Sequence, residues 1–474
     1  MTRLRLLAPA TIALFTAPGA TQRDPVGYAD FWQSRQAEFD ADPLRTDGVP
    51  VEFAPPKITF DHAAQTTGFN RYQTIAEDAL ERPLHLITIS CVEDHFAAVF
   101  DAPENARFRG HVLELTCRIF DHGIFLFEVL LEVDDLIDLD SPGEVVGQLD
   151  ALQDQAINLG TALATTCHDQ ILAPLLDRLL DADAAGDYID EEPVLGEETG
   201  FVGGHVHWVT RSLVLSEATA RTEPYLRHWI KDSTAVGNGM ANPADQLMSG
   251  ELRHLTRWLN YAFIESGPDI GRMQDAFHDE WQAMRYAQFF YAALEGIDTQ
   301  LGRVLAESLV ASGASRLSHL RTDLEQLSRR AQLIIMELHD ISRYLKRSVR
   351  AGMDAILDGW DFQQLIEEPV LYKVQVCEQR LADLAAKRAA RSTLFTDLIL
   401  LSIGVTSILG TALGVTEFGR MMAADPGLAG FDVSSGDATT WFASQPADAI
   451  LLGSGVISLL LVALYFFFRR NQSA

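Results

Sequence analysis

Five residues at helical spacing carry the most specific chemistry in the chain. Ser402, Thr406, Leu409, Leu413 and Thr416 step by four, three, four and three, which sets them on one face of a helix. In a ring of such helices, Ser402, Thr406 and Thr416 would offer hydroxyl oxygens to a hydrated ion. Leu409 and Leu413 would form an apolar constriction able to gate by dewetting. A second reading stands beside this one: small and hydroxyl-bearing residues also let helices approach closely in lipid. Asp397, just before the stripe, either draws cations to the cytoplasmic entrance of a pore or is an interfacial aspartate solvated by headgroups.

Other constellations are sparser. His205 and His207 in Gly-Gly-His-Val-His-Trp would share one face of a strand as a pair of metal ligands might, or as ordinary strand histidines do. No third ligand is visible, and the metal assignment stays unknown. The acidic runs Glu132 to Asp140 and Asp181 to Glu198 read as solvated loops, the second holding eight acids and no base. There is no Walker loop, no dinucleotide fingerprint after a strand, no G-x-S-x-G elbow and no H-E-x-x-H helix. Catalysis has no visible apparatus, and a non-enzyme is the expectation.

The elements that would hold the stripe come next. Leu398 to Thr416 and Ala449 to Phe468 are uncharged, apolar and of about the length that a ~30 Å hydrocarbon core requires. Lys387, Arg388 and Arg391 precede the first, and Arg469 and Arg470 follow the second. The loop Glu417 to Asp448 holds five acids against Arg420 alone. By the positive-inside rule this predicts a two-helix transmembrane hairpin in the inner (plasma) membrane, multi-pass, with both termini cytoplasmic and the lipid bilayer as a partner. From Glu367-Glu368-Pro369 onward no glycine or proline appears until Gly404, so one stalk helix is expected to run into the first span. Val370, Val374, Cys377, Leu381 and Leu384 form a seam along it, fit either for neighbouring stalks of an oligomer or for packing within one subunit.

Three regions follow from the patterning: an α+β domain over 1–265, a long helical hairpin region over 266–368, and the stalk with two spans (about 398–416 and 449–468) over 369–474. In the first, Leu84 to Val92 is a β-rich run. Arg109 to Phe120 and Ile124 to Val133 flank the turn Asp121-His122-Gly123, and Gly203 to Leu215 again has strand character. Glu144 to Leu180 is helical, with Pro174 as a bend. Leu317, Leu320, Leu324 and Leu327, continued through Leu333, Met336, Ile341 and Leu345, mark helical arms, with Gly313 and Gly359 as breaks. Arg3 and Arg5 before the apolar run Leu6 to Phe15 imitate a secretory signal. Pro9 interrupts that run, and a buried first strand is the alternative.

Composition narrows the partners. The 474 residues carry a formal charge of −29, which repels a nucleic-acid backbone, and metal cations or basic partners fit better. Four cysteines, Cys91, Cys117, Cys167 and Cys377, lie far apart with no C-x-x-C pair, so a reducing compartment is the plain reading. The mean hydropathy of +0.04 suits a chain that folds mainly in water.

This order of parts resembles the CorA-like divalent-cation transporter superfamily. Sequence support for the resemblance is confined to the C-terminal ~110 residues, those of the stalk and hairpin. It implies a homo-oligomer, a pentamer, whose stalk and first span line a pore for divalent cations such as magnesium. It also implies that cytoplasmic acids hold regulatory cations between subunits. The family closes its first span with Gly-Met-Asn; the corresponding outer-mouth position reads Gly414-Val415-Thr416. Threonine offers a smaller hydroxyl than the asparagine amide to the water shell of magnesium, which that ion gives up reluctantly. Two functions are therefore expected: a CorA-like cation channel or transporter gated by its cytoplasmic domain, or a membrane-anchored sensor or effector whose cytoplasmic domain binds a nucleotide-like or protein signal. In the second, the hairpin only anchors or perturbs the membrane.

Overall fold

The computed structural model describes residues 2–16, 23–45, 53–60, 85–134, 136, 144–182, 185–190, 203–219, 222–231, 243–256, 259–265, 277–310, 314–341, 345–424, 441 and 444–472. Two compact units divide the chain, Met1–Leu381 and Ala382–Ala474.

The first unit is mixed α/β. Its elements are β1 (Thr2–Thr11), β2 (Phe15–Thr16), α1 (Pro25–Ala41), β3 (Lys57–Phe60), β4 (His85–Cys91), β5 (Val112–Phe120), β6 (Ile124–Glu132) and α2 (Val145–Cys167). A π-helical turn, His168–Leu172, joins α2 to α3 (Ala173–Leu180). Then come β7 (Ile189–Asp190), β8 (Thr210–Leu215), α4 (Glu223–Lys231), α5 (Pro243–Ser249), β9 (His254–Thr256) and β10 (Asn260–Ile264). Three further helices follow: α6 (His278–Val310), α7 (Ala314–Ile341) and α8 (Arg347–Gly359), before α9 begins at Glu368. Eight strands make one sheet in the order β3-β4-β5-β6-β1-β8-β10-β9, antiparallel throughout except for the parallel pair β8 and β10.

Local chemistry accounts for the joints. The β5–β6 turn needs two left-handed residues, and His122 (φ 62°) and Gly123 (φ 75°) supply them. A Cβ on Gly123 would stand 2.5 Å from the Phe15 ring, so that position admits glycine alone. Pro174 cannot donate to the turn before it, and the helix loosens there from α to π pitch. Further along, one helix ends at Val310 and the next begins at Ala314, Gly313 itself lying outside the described residues, and another helix ends at Gly359.

The two-residue period of the strands sorts side chains to opposite faces. Leu4, Leu6, Ala8 and Ala10 of β1, Phe125 and Phe127 of β6, and Cys117 and Ile119 of β5 pack with Trp32 of α1, Leu152, Leu159 and Leu163 of α2 and Trp229 of α4. On the other face Leu7, Phe120, Leu126, Val214, Tyr261 and Phe263 meet α6, α7 and α8. The sheet is therefore the middle of three layers, and the apolar run near the N-terminus is its buried central strand. Val370, Val374 and Cys377 of α9 are buried in the second cluster and Leu381 packs against it, so this part of the seam is satisfied within the subunit; the Leu384 side chain lies outside the described residues. Among the arm residues, Leu320, Leu324 and Leu327 are buried while Met336 is 52 % exposed.

The second unit contains the rest of α9 (Glu368–Ala424) and α10 (Ala447–Gln472). Among the described residues, no helix is long and apolar enough to cross a membrane. This overturns the transmembrane hairpin expected at 398–416 and 449–468, and with it the multi-pass, inner-membrane location with both termini cytoplasmic. A span needs ~20 consecutive, predominantly apolar residues, and the described side chains do not make such a run. Within 398–416 those of Leu398, Leu409, Ala412, Val415 and Thr416 lie outside the described set, while serine, threonine or glycine stands at 402, 404, 406, 407, 410, 411 and 414. The expected loop also starts later, because helix continues from Glu417 to Ala424.

Candidate functional site

One face of the central sheet carries a cluster of charges where the other is mainly apolar core. In β6, Ile-Phe-Leu-Phe-Glu-Val-Leu-Leu-Glu, the carboxylate of Glu128 takes an inward position among apolar neighbours and is 5 % exposed. A carboxylate so placed must be paired or it costs several kcal/mol. The register supplies the partners. Glu128 stands opposite Leu7 on β1 and Thr116 on β5, so Arg5 and Arg118 are its diagonal neighbours on the same face. Arg118 Nε donates to Glu128 Oε1 at 3.2 Å and Arg5 Nη1 to Oε2 at 3.4 Å. A third guanidinium comes from α6: Arg285 Nη2 donates to Oε2 at 3.1 Å, and its Nε to Oε1. Burial alone would raise the pKa of Glu128, but Arg285, Arg118 and Arg5 outweigh it and hold the carboxyl well below the usual range. For Arg5, burial dominates and lowers the pKa despite Glu128; its guanidinium lies 4.4 Å from the centre of the Trp281 ring.

Beside this network opens a cavity of about 170 Å³. Strands give it Arg5, His85, Glu114, Arg118 and Phe120; α6 gives His278, Trp281, Gln282, Arg285 and Tyr286. The α6 residues recur at i, i+3, i+4, i+7 and i+8, one helical face over the first turns. Among the described residues Glu114 is the only acid lining the space, four residues before Arg118 on the same face of β5. It accepts from the Thr116 hydroxyl at 3.1 Å and lies 3.9 Å from Arg5 Nη2. Three guanidinium groups against Glu114 and Glu128 leave one positive charge in excess. The arrangement can therefore hold an anion, with aromatic walls for an attached apolar group.

A second polar cluster ties the β5–β6 turn to α7. Asp121 accepts from the backbone N–H of Thr16 at 2.8 Å and of His122 at 2.7 Å, and the His122 Nε2 meets Glu337 Oε2. Burial pushes the His122 pKa down, yet Asp121 and Glu337 more than reverse this and leave it raised, with Arg330 opposing them.

The residues singled out in the sequence fare differently. His205 and His207 are brought together, rings 5.5 Å apart, on the extended segment before β8. The neighbour of His207 Nδ1 is Glu295 at 3.3 Å. Among the described residues no group of three or more His, Cys, Asp or Glu side chains is placed to hold a metal ion. Ser402, Thr406 and Leu413 are exposed on α9, as is Gly414, and the Thr406 hydroxyl donates back to the Ser402 carbonyl at 3.0 Å. The side chains of Asp397, Leu409, Val415 and Thr416 lie outside the described residues, as does most of both acidic runs. The four cysteines are free thiols. None of the cavity's residues was anticipated as a site. Two signals pointed to them: single charges at core-facing positions of apolar strands, and the polar-aromatic stripe of α6.

Comparison with protein-family models, with curated proteins and with solved structures finds no match to this chain.

Proposed function

We propose that Met1–Leu381 is a sensor or effector unit that binds a small anionic signal in the cavity between β5 and α6. The observation that carries this reading is the surplus of guanidinium groups on a concave, partly aromatic surface, with the Glu128 carboxylate beneath them holding all three in place. Arginine forks suit carboxylate and phosphate, and here they sit where the low surrounding polarity strengthens each bond. The volume of about 170 Å³ favours a small anion over a nucleotide, being below the ~300 Å³ at which drug-sized pockets begin. Ion passage through the Ser402 to Thr416 stripe needs a membrane span, and no described helix is long and apolar enough to be one.

Thermal-shift and calorimetric titration of the full chain with a panel of small carboxylates and phosphates tests the reading. At least one should raise the melting temperature, and Arg118→Gln should weaken it by about tenfold or more, as expected for loss of a charge-assisted bond. If no small anion binds the native chain, the proposal is wrong.

A further inference from the structure

Resting on that sensor reading, we infer that the small anion is a hydroxycarboxylate, held with its carboxylate on the Arg118 fork and its hydroxyl on the side-chain amide of Gln282. Gln282 lines the cavity from α6 and is only 6 % exposed. Among the described residues its side chain has no hydrogen-bond partner. A buried amide left unmet costs about 1–3 kcal/mol, and the large majority of such groups in folded proteins are met. The cavity that Gln282 lines is where its partner can enter.

The anion end of the same cavity is fixed through Glu128. Arg118 Nε and Arg285 Nε both donate to Glu128 Oε1, so the two guanidinium groups are neighbours. The terminal nitrogens of Arg118 hold no partner among the described residues, and they form the planar fork that a carboxylate matches. Gln282 stands three residues before Arg285 on α6, where side chains on one helical face start about 5–6 Å apart. A short acid can therefore hold Arg118 with its carboxylate and reach Gln282 with an oxygen on its second or third carbon. The amide itself selects a hydroxyl: it offers a carbonyl acceptor and an NH₂ donor, and a hydroxyl serves either, whereas an oxo group serves only the donor. A monocarboxylate also balances the single guanidinium in excess, which a phosphate monoester would overshoot. Phe120 and Trp281 wall the space for the carbon skeleton.

The test is isothermal titration of the full chain with short-chain 2- and 3-hydroxy acids, each beside its deoxy and its oxo counterpart, and with inorganic phosphate. At least one hydroxy acid should bind about tenfold or more tightly than its deoxy and oxo counterparts and than phosphate, because a site built to bond a hydroxyl rejects the analogue that lacks it. Gln282→Leu, close in volume but unable to hydrogen-bond, should bring the deoxy acid level with the hydroxy acid. Arg118→Gln should weaken both and leave their ratio in place. Should the deoxy acid, the oxo acid or phosphate bind the native chain as tightly as every hydroxy acid, or should Gln282→Leu keep the preference, the hydroxycarboxylate inference is overturned although the anion reading survives. Should no anion bind at all, both fall. The native-chain comparison decides the matter even if a variant misfolds.

Discussion

The two faces of the central sheet are built from the same strands and do opposite work. On one, Leu4, Leu6, Phe125, Phe127 and Ile119 bury against α1, α2 and α4, and stability there is a matter of area and fit. On the other, one residue further along each strand, Arg5, Arg118 and Glu128 are locked to Arg285 of α6, and stability is a matter of charge balance. An apolar face tolerates exchange of one hydrocarbon for another, whereas a charged network fails when any single member is lost, because the survivors stay buried. That asymmetry is how a fold can keep a polar site in register without loosening its core.

The comparison breaks hardest at Glu128. Replacing it with alanine strands three guanidinium groups and should cost about 3–5 kcal/mol in urea unfolding, partly recovered by added phosphate or sulfate. Leu6→Ala, on the opposite face, should cost about 2–5 kcal/mol, and those anions should give it no more than they give the native chain. A cost at Glu128 that no anion moves would mean the network is mere packing. Acid sharpens the contrast further. Glu128 has a folded pKa depressed below its unfolded value near 4.5, so its contribution is full above that value and disappears as pH falls through the folded one. The Leu6→Ala variant should lose stability in acid as the native chain does, while Glu128→Ala should show a shallower acid limb.

His122 gives a smaller effect of opposite sign. Its raised folded pKa means the stabilisation from Asp121 and Glu337 is complete below about pH 6.5 and is lost as pH rises through the folded value. Glu337 is a third exposed, so Glu337→Gln should cost only about 1 kcal/mol at pH 5.5 and less at pH 9. An equal cost at both would show that His122 does not change charge between them. Least of all, Arg321→Ala, which removes an exposed i,i+4 pair with Glu325 on α7, should stay within about 0.5 kcal/mol.

Much of the first unit was legible locally. The hairpin at Asp121-His122-Gly123, the run at β4 and the leucine spacing of α7 are short-range signals, and they lie where the periodicity puts them. The place of β1 in the middle of eight strands was not, because its partners lie more than a hundred residues away and no local pattern names them. The site was harder still. Arg5, Arg118, Glu128 and Arg285 have no common spacing, and only the sheet register makes them neighbours. A glutamate in the middle of so apolar a strand is a legible demand for a buried cation, but the source of that cation is not legible. The apolar stretches of α9 and α10 drew the opposite error: their composition outweighed the interruptions, and the expected spans are not found among the described helices.

The position of β1 also shapes how the chain is made. Its first neighbour, β6, leaves the ribosome about 120 residues later, but β8, needed on its other edge, follows only about 200 residues after β1. At ~5–20 residues per second that is a wait of roughly 10–40 s with one row of backbone donors and acceptors open. The nascent polypeptide therefore spends much of its synthesis with an unfinished strand edge that a chaperone would shield, and stalled translation anywhere between β6 and β8 should yield products prone to aggregate.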